Sequence, residues 1–142
     1  MAHRLTLAVA LLVALGSLEA FAAPAKAPYL GTWTAHLSRA EMYDQGFDPF
    51  LAGTFRLVLR PNGTYTTFNS WDKASRGTYT VSGRRIVFAN DVGCDRGGFT
   101  GNGVYIWSLS KERLLLKQAH FGSDPCGGRT QMLTYPAWKK KE

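Results

Sequence analysis

Apolar and polar residues alternate with a period of two along most of the chain after residue 28, and this alternation limits the possible folds most strongly. β-branched and aromatic residues occur in short runs, separated by Gly, Pro, Asn and Asp. Such a pattern is typical of antiparallel strands with one buried face. The sequence therefore predicts an all-β domain with eight strands, at about 30–38, 53–60, 64–69, 76–82, 84–89, 103–109, 113–119 and 129–137.

Short and long connections alternate between these strands. The short ones are tight turns of the kind that join neighbouring antiparallel strands, namely Pro61-Asn62-Gly63, Ser82-Gly83 and Ser110-Lys111-Glu112. The longer ones are 39–52, 70–75, 90–102 and 120–128. An up-and-down meander places all tight turns at one end, the base, and all long loops at the other, the mouth. We therefore predict an eight-stranded antiparallel up-and-down β-barrel, with a two-sheet sandwich as the alternative.

The first 22 residues have the three parts of a secretory signal peptide. His3 and Arg4 precede an apolar stretch from Leu5 to Leu15, and Ala20-Phe21-Ala22 has the small-x-small form of a cleavage site. This apolar stretch is too short to cross a hydrocarbon core of ~30 Å, which argues against the alternative of an uncleaved membrane anchor. We expect a secreted or periplasmic protein with a single domain over 23–142, ending in a basic tail at 139–142.

Cys94 and Cys126 lie in two of the long loops, each among Gly and polar residues. In an exported domain of this size two cysteines most often form one disulfide, and the alternative is two buried thiols. The meander places both loops at the mouth, so the pairing agrees with the topology. Closing a segment of roughly thirty residues is worth about 3–4 kcal/mol in the chain-entropy model.

The loop between strands 1 and 2 is the only segment predicted to be helical. Ser38 and Glu41 have the spacing of a capping box, and Gly46 is placed to end the helix. Over the mouth, this short helix or loop would act as a lid or would plug the barrel with inward-facing side chains. The residues assigned to the lid and mouth are Met42, Tyr43, Phe47, Phe50 and His120.

Several motifs resemble those of the lipocalins and the wider calycin superfamily, in particular small exported bacterial lipocalin-like proteins. They are Leu30-Gly31-Thr32-Trp33, Pro61-Asn62-Gly63-Thr64-Tyr65, Gly77-Thr78-Tyr79-Thr80-Val81, Tyr105-Ile106-Trp107, the segment from Cys126 to Arg129, and Trp138. The resemblance implies structural roles for Gly31, Trp33 and Arg129, with Trp33 packed across the closed base against the arginine.

The chain departs from that family in two ways. It is shorter and lacks the long C-terminal helix, which leaves the ligand open. A last strand starting at Arg129 also puts this residue near the mouth, so another Arg or Lys is the alternative partner for Trp33.

Charge is unevenly distributed along the chain, whose formal net charge is +7. The long loops, counted as 39–52, 70–76, 90–102 and 120–128, hold seven acidic and four basic residues. The sequence thus predicts an acidic mouth and a basic remainder, although turns favour Asp for local hydrogen bonding in any case. For an exported protein this basic charge favours an anionic envelope surface over nucleic acid as a partner.

No catalytic or metal-binding pattern is present. The sequence has no Gly-x-Ser-x-Gly motif, no His-x-x-x-His and no Cys-x-x-Cys spacing. We therefore expect a monomeric protein that is not an enzyme and needs no cofactor or metal.

Aromatic residues on the predicted strands suggest a binding function. We expect a small apolar or amphipathic ligand inside the barrel, among Phe55, Tyr65, Tyr79, Phe88, Tyr105 and Trp107. The first alternative is a calycin-type protein-binding module or protease inhibitor that acts through the mouth loops. The weaker alternative is a basic protein associated with the cell envelope.

Overall fold

The computed structural model describes residues 26–69 and 74–142, which form a closed barrel of eight antiparallel strands. Each strand pairs with its neighbours in sequence, and the last strand pairs with the first. The strands are β1 (Gly31–Leu37), β2 (Gly53–Leu59), β3 (Thr64–Phe68), β4 (Ala74–Ser82), β5 (Arg85–Ala89), β6 (Gly103–Ser110), β7 (Arg113–Gln118) and β8 (Trp138–Lys140). The predicted up-and-down barrel is confirmed, and the sandwich alternative is wrong. The predicted signal peptide, residues 1–22, lies outside the described residues.

Among the described residues, three short α-helices and one 3-10 helix, Pro49–Leu51, lie in the long connections. The α-helices are α1 (Arg39–Asp44), α2 (Val92–Arg96) and α3 (Gly127–Thr134). Helix α1 has the predicted capping box: Ser38 Oγ accepts from the Glu41 backbone N–H at 3.2 Å, and the Glu41 carboxylate accepts from the Ser38 N–H at 2.7 Å. The latter bond is the main reason why the pKa of Glu41 is lowered. The expectation of a single helical segment is wrong, because α2 and α3 are helical as well.

The eighth predicted strand, 129–137, is also wrong. Its first part belongs to α3, and the final strand starts at Trp138. Arg129 and Leu133 are four residues apart and both buried, as expected for one face of a helix. Pro136 lies just after the end of α3 and has no backbone N–H group to continue the helix. Lys139 and Lys140, predicted to lie in a tail, belong to β8.

Strand β8 closes the barrel over a short length. It pairs with β1 through Trp33↔Lys140 and Thr34↔Lys139, and with β7 through Leu114↔Trp138 and one further pair. These contacts lie at the base, because β1 starts there. The three residues of β8 therefore close the barrel, at the end that carries the tight turns.

Trp33 occupies the base of the barrel and is 1% exposed. Its indole N–H donates to the Tyr29 carbonyl at 2.8 Å, and the Lys140 ammonium lies 5.3 Å from its ring centroid. Arg129, which the resemblance implied as the partner of Trp33, lies in α3 at the mouth and pairs with Asp124. The basic residue that contacts Trp33 at the base is therefore Lys140 and not Arg129. This agrees with the alternative that another Arg or Lys is the partner of Trp33.

Aromatic rings fill the middle of the barrel. The Phe88 ring is fully buried and contacts Tyr65, Tyr105 and Tyr79, with centroid distances of 4.8, 5.7 and 6.3 Å. The contacts with Tyr65 and Tyr105 are edge-to-face, a geometry that adds to the stabilisation from burial alone.

Candidate functional site

Cys94 and Cys126 form a disulfide that joins two of the mouth loops. Cys94 lies in α2, and Cys126 is the residue that precedes α3. The predicted disulfide is confirmed, and so is its place at the mouth. The alternative of two buried thiols is wrong. The bond holds the β5–β6 and β7–β8 connections together.

A buried ion pair lies within the β7–β8 connection, and a further hydrogen bond from its arginine reaches the β5–β6 connection. Arg129 donates to both carboxylate oxygens of Asp124, each at 2.7 Å, and to the Gly101 carbonyl at 3.0 Å. The two charged side chains are 1% and 0% exposed. Asp124 also accepts from the Tyr105 hydroxyl and, at 2.8 Å, from the Cys126 backbone N–H. This network anchors α3 on the top of the barrel.

Each charge of this pair stabilises the other. Burial acts to raise the pKa of Asp124, but the hydrogen bonds from Arg129, Tyr105 and the Cys126 backbone outweigh it and the pKa is lowered. Burial acts to lower the pKa of Arg129, and the Asp124 carboxylate reverses this and raises it. Burial and the bond to Asp124 raise the pKa of Tyr105. The pair is thus charged over the whole physiological range.

A second buried carboxylate, Asp91, caps α2. It accepts from the Gly93 and Cys94 backbone N–H groups at 2.8 and 3.1 Å, and from the Tyr65 and Ser75 hydroxyls. Burial, followed by the hydrogen bond to Asp91, raises the pKa of Tyr65. Two of the acidic residues in the mouth loops are therefore structural and do not face solvent.

The remaining acidic residues of the described mouth loops are exposed: Glu41, Asp44, Asp48 and Asp95. Two exposed arginines, Arg39 and Arg96, lie in the same loops. Arg76, which the loop composition also counted, is exposed on β4, and Asp91 and Asp124 are buried, so the acidic excess at the surface is smaller than the loop composition predicted.

Four aromatic side chains in the mouth loops are exposed to solvent, and we call them the aromatic rim: Tyr43 (73%), Phe50 (72%), Phe99 (52%) and Phe121 (102%). Tyr43 and Phe50 were predicted to face inward, which is wrong. Of the other residues assigned to the lid, Met42 is buried, Phe47 is half-buried and contacts the Tyr135 ring at 5.2 Å, and His120 is exposed. Phe99 and Phe121 were not anticipated, although each is an aromatic residue in a Gly-rich polar segment.

The six aromatic residues predicted to line an interior ligand site are all placed within or against the core. Five are buried, whereas Trp107 is half-buried near the base, where its indole N–H donates to the Gly83 carbonyl at 3.0 Å. Three of the buried rings, Tyr65, Tyr79 and Tyr105, contact Phe88 directly. A ligand among these residues has to displace ring contacts that already exist.

Comparisons with protein-family models, with curated proteins and with solved structures found no match for this chain. Within residues 26–69 and 74–142, no helix is long and apolar enough to span a membrane. The same residues contain no cluster of three or more His, Cys, Asp or Glu side chains suited to a metal ion.

Proposed function

We propose that this chain is an exported binding protein that recognises a partner protein through its aromatic rim. One observation carries the proposal. Among the described residues, four of the six exposed large hydrophobic side chains lie in the mouth loops, and the other two, Ile106 and Leu109, lie on β6. Exposed aromatic side chains that share one end of a small domain are typical of protein interaction sites.

The loops that carry the rim are held in place before any partner binds. The Cys94–Cys126 disulfide and the hydrogen bond from Arg129 to the Gly101 carbonyl connect two of them, and the Tyr135 hydroxyl donates to the Glu41 carbonyl of the first loop at 3.2 Å. Because these loops are already ordered, binding costs less conformational entropy than it would for free loops.

Charge indicates the chemistry of the partner. With Arg76 at the start of β4 included, the exposed acidic side chains of the described mouth loops outnumber the arginines by four to three, so a partner with a basic surface gains some electrostatic attraction on approach. The resemblance to calycin-type proteins, some of which inhibit proteases through their loops, makes a protease one class of partner to test.

A small ligand inside the barrel, the first expectation from the sequence, ranks second. It requires separation of the rings of Tyr65, Phe88 and Tyr105, which are 0–1% exposed. Binding at the rim requires no such displacement, and this difference supports the rim as the binding site.

Capture from extracellular fluid tests the proposal. The domain from residue 23 onward is immobilised and exposed to proteins from the culture medium of its source, and captured proteins are identified by mass spectrometry. We expect a basic protein that is retained by the wild type and lost with the double variant Phe50→Ser, Phe121→Ser. The matched control is Ile106→Ser, which removes an exposed apolar side chain on the barrel wall.

The purified partner is then titrated against each variant at low and high salt. Tighter binding at low salt, with an affinity that falls only in the rim variant, supports the proposal. Loss of binding in Ile106→Ser to the same extent, or no specific capture, overturns it. A residual-activity assay on the partner then decides whether the rim inhibits a protease.

A further inference from the structure

The base of the barrel carries an open cleft of about 710 Å³, at the end opposite the aromatic rim. Its apolar part is formed by Leu109, which is 40% exposed, by Pro28 and by an edge of the buried Trp33. Its volume lies within the range of small-molecule sites, roughly 300–1,000 Å³. This cleft is independent of the function proposed for the mouth.

Four lysines surround this apolar part: Lys111 from the β6–β7 turn, and Lys139, Lys140 and Lys141 from the end of the chain. Two glutamates, Glu112 and Glu142, line the cleft as well, which leaves the lysines in excess. Among the described residues the Arg129–Asp124 pair is the only ion pair, so none of these lysines has a carboxylate within 4.0 Å.

The base of the barrel carries further basic residues outside the lining of the cleft. Arg60, Arg84, Arg85 and Arg113 lie at the strand ends and turns of the base, as the register of the strands shows. Basic side chains around a partly apolar concavity attract a negatively charged group and hold the carbon chain that it carries.

We infer that this cleft binds an anionic amphiphile, a molecule with one phosphate headgroup and an apolar chain. The headgroup contacts the ammonium groups of Lys111 and Lys141, and the chain packs on Leu109 and the edge of Trp33. An inorganic anion lacks the apolar contact, and a neutral amphiphile lacks the charge, so both bind more weakly than the combined molecule.

Titration with dodecyl phosphate below its critical micelle concentration tests the inference. Binding is followed by calorimetry and by the indole N–H resonance of Trp33 in NMR spectra. We expect the Kd to rise about tenfold in Lys111→Gln, Lys141→Gln, because two exposed charge contacts of about 0.7 kcal/mol each are lost. Leu109→Ser weakens binding about fivefold through the loss of apolar contact, about 1 kcal/mol.

The matched control is Lys117→Gln, Arg76→Gln, which removes the same charge from exposed positions on β7 and β4. The same proteins are also titrated with inorganic phosphate and, separately, with vesicles of phosphatidylcholine and phosphatidylglycerol. Binding of dodecyl phosphate that weakens in the cleft variants and not in the control supports a cleft site, and vesicle binding with the same pattern identifies lipid headgroups as a source. An unchanged Trp33 resonance, equal loss in the control, equal affinity for inorganic phosphate, or binding to vesicles alone overturns the inference.

Discussion

The Lys140 ammonium lies 5.3 Å from the centroid of the Trp33 ring, across the seam where the last strand meets the first. The side chain of Lys140 also passes close to Gly31, since a Cβ atom at that position would lie 3.4 Å from its Cε. The cation–π contact thus adds a side-chain interaction to the few backbone pairs that close the barrel.

Substitution of Lys140 by Met tests this contact. Methionine keeps an apolar side chain over the ring and removes the charge, so we expect the free energy of unfolding to fall by about 0.5–1 kcal/mol. Urea denaturation measures the difference. Lys117→Met, on the outer wall of β7, is the control. An equal loss in both variants contradicts a specific contribution from the cation–π contact.

Substitution of Asp124 by Asn leaves the Arg129 charge buried without its partner. We expect the free energy of unfolding at pH 7 to fall by about 3–5 kcal/mol, measured by urea denaturation. Asp48→Asn, at an exposed carboxylate of the same end, is the control and has a small effect. A loss below about 1 kcal/mol, the size of an exposed ion pair, contradicts the role of the buried pair.

The same pair predicts how stability depends on acid. The pKa of Asp124 is lower in the fold than the ordinary value of 3.8 for an aspartate side chain. Its contribution to stability is therefore complete above that value and is lost as pH falls through the lower pKa of the folded state. Denaturation curves between about pH 2 and 5 should show a steeper loss in the wild type than in Asp124→Asn. If the free energy of unfolding falls equally with pH in the wild type and in Asp124→Asn, Asp124 does not have a lowered pKa in the fold.

Removal of the disulfide by Cys94→Ala, Cys126→Ala should lower the free energy of unfolding by about 4 kcal/mol, since the two cysteines are 32 residues apart. The eight-stranded ladder does not include either residue, so we expect the far-ultraviolet circular dichroism of the barrel to persist. Chemical reduction of the wild type serves as an independent route to the same state. Loss of all strand structure in the variant contradicts this prediction.

Buried tyrosines predict a loss of stability in alkali. Burial, with a smaller contribution from Tyr29, raises the pKa of Tyr79 from 10.0 to about 12. A raised pKa gives a contribution that is complete below pH 10.0 and is lost as pH rises through the folded value. In Tyr79→Phe, the fall in the free energy of unfolding between these values should be shallower by about 1.4 kcal/mol per pH unit. An unchanged slope contradicts the assignment to Tyr79.

Gly103 is required because Asp124 approaches it closely. A Cβ atom there would collide with the Asp124 carboxylate and lie 2.9 Å from the Tyr105 ring. We expect Gly103→Ala to destabilise the fold by about 1–3 kcal/mol through overpacking. Gly127→Ala is the control, since nothing lies within 4 Å of its Cβ position and alanine favours the helix. Equal thermal stability of the two variants contradicts this reasoning.

The barrel topology was predictable because it depends on local signals. Turns such as Pro61-Asn62-Gly63 and the alternation in strands such as β2 are readable within a few residues. The order of short and long connections then determines which loops share an end. The disulfide pairing followed from the same reasoning.

Helix α3 was not predictable in this way. Leu133 and Tyr135 flank the polar Thr134, and the segment holds β-branched Thr130 and Thr134, a pattern that suits a strand as well as a helix. The helix is selected by tertiary contacts, since it places Arg129 against Asp124 and Leu133 in the core. The direction of the Tyr43 and Phe50 side chains also depends on tertiary contacts. The sequence pattern contains no information on those contacts.

The short pairing between β1 and β8 also bears on how fast the protein folds. Its partners come from opposite ends of the described chain, so the barrel cannot close until residues 138–140 have been made. Loop-closure entropy is lost before these contacts form, and a topology with such non-local contacts folds slowly, in about milliseconds to seconds. Until then β1 presents an unpaired edge, which is open to strand pairing between molecules.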